Sequence, residues 1–372
     1  VKNKTESEGL FFTRRISNNY HQIIVTRIKD PDTGAEVKKP IKVTPAVNEE
    51  TYFDSYRAAF EAIQTNGTMV EYTVQNLIEW EFTEEDAQAL VKIDAGHATA
   101  LNIEGGRRNN QYVDSMNRFD TTDTTAIARE YYRVRLRKQA LMMPDDVPVT
   151  FNNIILKYDQ GSNHELNGED GKIASDDIIF INNGCGLKFG DKVQFLKHQD
   201  EDAYATVIGG SVEDPAAYGW KGFSDTDGTT TQETTIQIAS GIFSQVYGAG
   251  TKTQGSNGIL GIIGSSRVHS NIVITGGTVG QLYGGGKGTN GKMYGDTSIA
   301  ISGKTELTTQ TVYGGGDGAD VAGSTYVEIT ADASYTKDGR TIYPGISQKE
   351  TSPTSVFGGG YNGVVELSLI HI

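Results

Sequence analysis

Cysteine, tryptophan and long apolar runs are scarce in this sequence of 372 residues. Cys185 is the single cysteine, so no disulfide can form within the chain. One cysteine is compatible with the cytosol and equally with the many secreted bacterial proteins that avoid this residue. No apolar run is long enough to span a bilayer. These absences exclude a disulfide-stabilised scaffold and, within this sequence, a transmembrane helix.

Basic residues are also scarce, because 33 Lys and Arg stand against 47 Asp and Glu, for a formal net charge of −14. Affinity for phosphate backbones comes from Lys and Arg, so this balance argues against nucleic-acid binding. Residues 129–138 are the exception, with four arginines and one lysine against one glutamate. Arg133, Arg135 and Arg137 alternate as in a half-buried strand, although the neighbouring apolar residues suit a helix equally well. Both local structures stay open.

Glycine is abundant, with 45 copies that concentrate in the C-terminal half. Four glycine runs each follow an apolar residue and an aromatic residue, and the four aromatic residues are Tyr247, Tyr283, Tyr313 and Phe357. Upstream of each run lies a short segment with apolar residues at alternate positions: Ile236 and Ile238, Ile272 and Ile274, Ile299 and Ile301, and the more degenerate Val327 and Ile329. Such a unit cannot bury its apolar face alone, so we predict that the units stack and that the four aromatic residues occupy equivalent positions.

One amphipathic helix is predicted near the N-terminal end of the stack. Residues 51–54 have the spacing of a capping box, and Tyr56, Ala59, Phe60 and Ile63 recur at helical spacing. The pair at 66–67, Asn-Gly, predicts a helix end with positive φ. This helix would cover the first apolar layer of the stack and its open strand edges.

Short strands are predicted along the rest of the chain, at residues 69–74, 77–82, 90–93, 100–103, 149–156, 177–184, 186–193 and 205–208. The predicted organisation has three parts. Residues 1–45 form an extended segment or the end of a preceding module. Residues 46–366 form the stack, with a long insertion near 105–146. Residues 367–372 match the translation of a transposase end sequence used to build sequencing libraries, so we interpret them as an adapter-derived tail.

Residues 180–191 and 149–154 resemble coils of the right-handed parallel β-helix, or pectin-lyase-like, superfamily. Residues 274–286 are similar to repeats in adhesin-like surface proteins of gut bacteria. The resemblance covers roughly residues 51–366 and implies an all-β fold, a right-handed parallel β-helix solenoid with an N-terminal capping helix. It also implies export to the bacterial cell surface. The double glycine near Phe357 is shared with kelch propellers, but their regular spacing and later tryptophan are missing.

Enzymes of the pectin-lyase-like fold use carboxylates, which draws attention to Asp176 and Asp177. This pair resembles the paired aspartates of polygalacturonases, but the other motifs of those enzymes are not found here. If the protein is an enzyme, Asp176 and Asp177 are the candidate catalytic residues. The alternative is a polar turn at the start of a strand.

The sequence also suggests a calcium site and a site for an anionic glycan. Residues 315–320 fit the pattern Gly-Gly-x-Gly-x-Asp of calcium-binding nonapeptides, which makes Asp317 and Asp320 candidate Ca²⁺ ligands, although no tandem copies occur. Arg133, Arg135 and Arg137 could bind the carboxylates or sulfates of an anionic glycan, because guanidinium groups bind such anions in a bidentate manner. The alternative is pairing with the protein's own acids.

The function that the sequence favours is a non-catalytic, extracellular or cell-surface module that binds host or microbial glycans or surface proteins. The recurrent positions are Ile, Val, Gly, Thr, Ser and Tyr, which do not titrate near neutral pH, so neither catalysis nor a cofactor is predicted beyond the Ca²⁺ hypothesis. The alternative function is a polysaccharide lyase or glycoside hydrolase on the same fold.

Overall fold

The computed structural model describes residues 15–16, 19–20, 28–30, 32–107, 131–137, 140–144, 146–158, 177–197, 201–210, 232–250, 268–288, 291–307, 311–330, 335–337, 340–342 and 355–371. These residues form two α-helices, α1 (Tyr56–Asn66) and α2 (Glu84–Leu90).

They also form 27 β-strands, which in chain order are β1 (Arg15–Ile16), β2 (Asn19–Tyr20), β3 (Ile28–Lys29), β4 (Glu36–Val37), β5 (Ile41–Thr44), β6 (Tyr52–Phe53), β7 (Glu71–Asn76), β8 (Trp80–Phe82), β9 (Ala100–Gly105), β10 (Arg133–Leu136), β11 (Ala140–Met142), β12 (Val149–Asn152), β13 (Ile154–Tyr158), β14 (Ile178–Ile181), β15 (Gly186–Phe189), β16 (Val193–Leu196), β17 (Ala205–Ile208), β18 (Gln232–Ile238), β19 (Ile242–Tyr247), β20 (Val268–Tyr283), β21 (Thr297–Leu307), β22 (Thr311–Tyr313), β23 (Val321–Ile329), β24 (Tyr335–Lys337), β25 (Arg340–Ile342), β26 (Ser355–Phe357) and β27 (Val365–His371).

Most of these strands pair in parallel, and they do so in three ladders. The first ladder consists of β7, β9, β12, β15, β18, β20, β21, β23 and β27. The second consists of β8, β10, β13 and β16. The third consists of β11, β14, β17, β19, β20, β22 and β26. The fold is therefore predominantly β with parallel pairing, as predicted.

The chain visits the ladders in a fixed order. From β9 to β17 it passes three times through the first, second and third ladders in succession. The long strand β20 belongs to two ladders, because residues 271–274 pair in the first and residues 282–283 in the third. Antiparallel pairing joins β5 to both β6 and β7. It also forms three separate two-stranded sheets, β1 with β2, β3 with β4 and β24 with β25.

The core is built by inward apolar residues that stack in register from strand to strand. In the first ladder, Leu101, Val149, Leu187, Ile236, Ile272, Ile299 and Val327 form one such row, and all are buried. A second row, two residues further along each strand, contains Ile103, Phe151, Phe189, Ile238, Ile274, Ile301 and Ile329. Each buried aliphatic or aromatic side chain contributes about 1.5–3 kcal/mol to the free energy of unfolding. The alternation predicted for the Ile pairs is confirmed.

Helix α1 packs its apolar face against the first strands. Tyr56 and Phe60 are fully buried, and their rings lie 5.1 Å and 6.1 Å from the ring of Phe82 in β8. The predicted helix therefore exists, but its ends differ from the prediction. Ser55 is the N-cap, because its hydroxyl accepts a hydrogen bond from the N–H of Ala58 at 3.1 Å. Gly67 follows the helix with a φ of −65°, and a Cβ atom there would lie 2.2 Å from the carbonyl oxygen of Ile63. Close backbone approach, not positive φ, requires this glycine.

Two predicted strands were wrong in detail. Residues 90–93 do not form a strand, because Leu90 ends α2, which starts with a capping box between Thr83 and Asp86. Residues 149–156 form two strands, not one, because Asn153 has a φ of 50° and turns the chain between them.

The structure describes strands in two of the predicted segments, the insertion and the tail. Strands β10 and β11 lie within the predicted insertion at 105–146 and pair in the second and third ladders, while residues 108–130 lie outside the described residues. The predicted tail contributes to β27, which pairs in parallel with β23, and the side chains of Leu367 and Leu369 are exposed. The adapter origin of this tail stays a prediction.

Candidate functional site

A polar groove lies on the outer face of the first ladder, across β7, β9, β12, β15, β18 and β20. Its volume is about 570 Å³. Polar side chains dominate the lining, and they are Glu71, Asn102, Glu104, Thr150, Asn152, Lys188, Asp191, Gln237 and Thr275. We refer to this site as the polar groove. Carboxylate, amide, hydroxyl and ammonium groups thus line one surface, where they supply both donors and acceptors of hydrogen bonds.

One row of side chains runs along the polar groove in strict register. Asn102 pairs with Thr150, Thr150 with Lys188, and Lys188 with Gln237. Neighbouring strands lie about 4.8 Å apart, so the row presents a polar side chain at each strand over about 14 Å. The sequence produces this row because each of the four residues follows an inward apolar residue, and successive side chains of a strand point to opposite faces.

Asn152 connects two acidic residues of the polar groove. Its Nδ2 donates a hydrogen bond to Glu104 Oε1 at 3.3 Å, and its Oδ1 accepts one from the backbone N–H of Asp191 at 2.8 Å. Burial raises the pKa of Glu104 above its ordinary value, the hydrogen bond from Asn152 lowers it, and the negative charge of Asp32 raises it again. The net effect is a raised pKa, so Glu104 can carry a proton at higher pH than a solvated glutamate.

The two glutamates of the polar groove lie too far apart to act together on one bond. Glu71 is opposite Ala100, whereas Glu104 is opposite Gln75, so they are offset by four residues along the strands. At about 3.3 Å per residue this offset is about 13 Å, whereas the paired carboxylates of glycosidases lie roughly 5–9.5 Å apart. Asp191 also contacts Asn152, but through its backbone N–H and not through its carboxylate.

The polar groove was not predicted from the sequence. Its residues belong to strands that are separated by connections of very different length, so their positions give no visible motif. A signal was present in the outward positions of the individual strands, such as Asn102 between Leu101 and Ile103. To predict the groove from these positions, one must know which residues pair between strands. The connections differ in length, so the sequence does not reveal that pairing.

The three arginines that were predicted to bind an anionic glycan lie on β10 or directly after it. Arg133 is buried, with 4% of its surface exposed. Arg135 Nε lies 3.8 Å from Glu79 Oε1, and Arg137 Nε lies 2.5 Å from Glu81 Oε1. A ligand at Arg135 or Arg137 would have to compete with these acids, so we place the candidate site in the polar groove. Glycan binding by the three arginines stays a prediction.

Asp177, one of the two predicted catalytic residues, is buried directly before β14, with 3% of its surface exposed. Thr206 Oγ1 donates a hydrogen bond to its Oδ2 at 2.9 Å, and Ser244 Oγ donates to the same oxygen. The two hydroxyls come from β17 and β19, the next strands of the third ladder. These contacts fit a structural role at the start of a strand. Asp176 lies outside the described residues.

The predicted calcium ligands form separate contacts. Asp320 Oδ1 accepts a hydrogen bond from the N–H of Val364 at 2.9 Å. Asp317 Oδ2 accepts one from the hydroxyl of Tyr247 at 3.4 Å and lies 3.9 Å from Lys287 Nζ. Within the described residues, no group of three or more His, Cys, Asp or Glu side chains is arranged to hold a metal ion. Calcium binding at Asp317 and Asp320 stays a prediction.

The four aromatic residues before the glycine runs form a continuous stack. Tyr247 pairs in register with Tyr283, Tyr283 with Tyr313, and Tyr313 with Phe357. The three ring centroid distances are 5.1, 5.2 and 5.0 Å, with interplanar angles of 6°, 4° and 11°. Burial, and after it the charge of Asp317, raises the pKa of Tyr247 and of Tyr283. Both hydroxyls therefore stay protonated. The four rings occupy equivalent positions on successive strands, as the repeated sequence predicts.

No protein family, no curated protein and no solved structure matches this chain. Neither helix in the described part of the chain combines the length and the hydropathy that crossing a lipid bilayer requires.

Proposed function

We propose that this chain is a right-handed parallel β-helix that acts as an adhesin-like, non-catalytic binding module and takes up glycans in the polar groove. The fixed order in which the chain visits three parallel ladders supports the β-helix, because each passage through the ladders makes one coil. The packing of α1 on Phe82 supports a capping role for this helix.

The row Asn102, Thr150, Lys188 and Gln237 is the observation that carries the glycan-binding proposal. Sugars present many hydroxyl groups at regular intervals, and amide, hydroxyl and ammonium side chains supply both donors and acceptors for them. A rigid sheet holds these groups in place before the ligand arrives, which reduces the entropy lost on binding.

Residence outside the bacterial cell, or at its surface, belongs to the same proposal. It rests on the resemblance of residues 274–286 to repeats of surface adhesins. The partners would be host or microbial glycans or surface proteins. No cofactor is part of the proposal.

The test is a glycan array that compares the wild-type protein with two double variants. We expect Lys188→Ala with Gln237→Ala to weaken binding, because both side chains belong to the row. Arg135→Ala with Arg137→Ala should leave binding unchanged. Circular dichroism and the melting temperature must show that both double variants remain folded. Loss of binding only in the arginine variant would assign the site to the arginines and overturn the polar groove.

Hydrolysis or elimination in the polar groove is the second candidate function, and the raised pKa of Glu104 favours it. A protonated Glu104 could act as a general acid. An activity screen on pectin, alginate and glycosaminoglycans would measure the release of reducing ends or unsaturated uronates. Activity that is abolished by Glu104→Gln would establish an enzyme and overturn the binding module. Activity that is abolished by Asp177→Asn, but not by Glu104→Gln, would place the chemistry at the other candidate carboxylate.

A further inference from the structure

The polar groove has more negative than positive charge along its lining. Glu71, Glu104 and Asp191 contribute three carboxylates, whereas Lys188 contributes one ammonium group. The chain as a whole adds to this field, because its formal net charge is −14. Like charges disfavour association, so uronate or sulfated glycans would meet repulsion in this groove.

Hydrogen bonds within the groove occupy amide donors, so the groove offers a ligand more acceptors than donors. Asn102 Nδ2 donates to Glu71 Oε1, and Asn152 Nδ2 donates to Glu104 Oε1 at 3.3 Å. Two amide groups thus donate to carboxylates of the same groove, and each of those carboxylates has a second oxygen and several lone pairs. A complementary ligand must therefore supply hydrogen-bond donors, and positively charged donors form the stronger bonds with carboxylates.

The position of the groove argues against an extended peptide as the ligand. Peptides that add to a sheet bind at a strand edge, where backbone N–H and C=O groups are unpaired. The polar groove instead covers the face of a sheet, and β9, β12, β15 and β18 are each paired on both sides. Recognition must come from side chains that repeat at the strand spacing of about 4.8 Å, which suits a ligand with a regular repeat of polar groups.

We propose that the polar groove binds oligosaccharides that carry free amino groups, in preference to neutral sugars and to uronate or sulfated sugars. This inference rests on the proposed glycan-binding function and names its ligand class. The ammonium groups of the ligand would lie against Glu71 and Glu104, and the sugar hydroxyls against the row from Asn102 to Gln237.

Isothermal titration calorimetry with three probes of equal length tests the proposal. The probes are a glucosamine oligomer, its fully N-acetylated form and a galacturonate oligomer. Each is titrated at a series of pH values from mildly acidic to neutral, because the amines lose their charge as pH rises whereas Glu104, whose pKa is raised, gains its charge. We expect the glucosamine oligomer to bind about tenfold more tightly than the acetylated form, the effect of one charge-assisted contact, and the preference to fall as salt is added.

Matched variants locate the effect. Glu71→Gln with Glu104→Gln should lower the affinity for the glucosamine oligomer more than the affinity for the acetylated form. Glu49→Gln with Glu366→Gln removes the same charge from two exposed positions outside the groove and should preserve the preference. If both double variants lose the preference equally, the net charge of the chain causes it and the proposed site is wrong.

The outcomes separate this inference from the function on which it rests. Equal or tighter binding of the acetylated or galacturonate oligomer would overturn the amino-sugar preference and leave glycan binding intact. Absence of binding to all three probes and to a broad glycan array would overturn both. Tighter binding of a lysine-rich peptide than of the glucosamine oligomer, lost with Glu71→Gln and Glu104→Gln, would show that the groove selects basic peptides instead.

Discussion

Gly284 lies so close to Gly314 that a Cβ atom on Gly284 would come within 2.2 Å of the carbonyl oxygen of Gly314. The same relationship links Gly248 to Gly284, at 2.1 Å, and Gly314 to Gly358, at 2.5 Å. Each glycine also donates its N–H to the carbonyl of the aromatic residue in the next strand, as Gly284 does to Tyr313 at 2.9 Å. The recurring aromatic-glycine motif is therefore a column in which backbone packs directly on backbone.

Replacing Gly284 with alanine should destabilise the protein by about 1–3 kcal/mol, the usual cost of inserting a group where no space exists. The backbone oxygen of Gly314 accepts a hydrogen bond from Thr297 Oγ1 at 2.6 Å, so moving it away would disturb that contact. Urea unfolding followed by circular dichroism gives the change in free energy. Gly359→Ala is the matched control, because a Cβ atom at Gly359 meets nothing within 4 Å. That variant should differ from wild type by less than about 0.5 kcal/mol. Equal stability of the two variants would contradict the packing argument.

Local patterns made the C-terminal half of the fold predictable. The Ile pairs at alternate positions specify which face of each strand is inward, and Tyr283 and its equivalents mark the same point in each unit. Those signals depend on neighbours within a few residues, so the sequence carries them intact. Pairing of Ile236 with Ile272 and of Ile272 with Ile299 follows from that repetition.

The polar groove and some element boundaries were not predictable for a physical reason. Leu90 is an apolar, buried residue, and that property fits the start of a strand as well as the end of a helix. The structure shows the end of a helix, α2, which begins with a capping box at residues 83–86. The side chain of Glu104 and the backbone N–H of Asp191 both reach Asn152 only because β9, β12 and β15 pair in one register. The connections between these strands differ in length, so the spacing along the sequence does not reveal that register.

The stacked rings should make a measurable contribution to stability. Tyr283 lies between Tyr247 and Tyr313 at 5.1 Å and 5.2 Å. Tyr283→Leu keeps an apolar side chain but removes both ring pairs, and we expect a loss of about 1–3 kcal/mol from two pairs of about 0.5–1.5 kcal/mol each. Tyr283→Phe keeps the ring and should stay within about 1 kcal/mol of wild type. Thermal and urea unfolding measure both variants, and a smaller loss for Leu than for Phe would refute a role for stacking.

Asp86 joins the two helices through its carboxylate. It accepts hydrogen bonds from the backbone N–H groups of Arg57 at the start of α1 and of Thr83 at the start of α2, both at 2.6 Å. Asp86→Ala leaves both part-buried N–H donors without this partner and removes a buried carboxylate, so we expect a loss of about 1–3 kcal/mol. Gln88→Ala, at an exposed position of α2, is the control and should change stability by less than about 0.5 kcal/mol. Hydrogen exchange at Arg57 and Thr83 should accelerate in the Asp86 variant alone, and unchanged exchange would contradict the contact.

The raised pKa of Glu104 predicts a specific pH dependence of stability. Burial of this carboxyl is the largest cause, so its charged form is disfavoured in the folded state. Between the ordinary pKa and the higher folded pKa, the folded protein binds more protons at this site than the unfolded chain. The contribution of Glu104 is therefore fully present below the ordinary pKa and is lost as pH rises through the folded pKa.

Glu104→Gln removes this titration and keeps an oxygen that can accept the hydrogen bond from Asn152. We expect the variant to lose less stability than wild type as pH rises from the ordinary glutamate pKa, near 4.5, towards neutrality. Urea unfolding at a series of pH values gives the difference between the two curves. Thr150→Ala, an uncharged change in the same groove, should shift stability by a similar amount at every pH. A difference between wild type and Glu104→Gln that stays constant with pH, or grows in favour of wild type as pH rises, would show that the folded protein does not disfavour the charged form of Glu104.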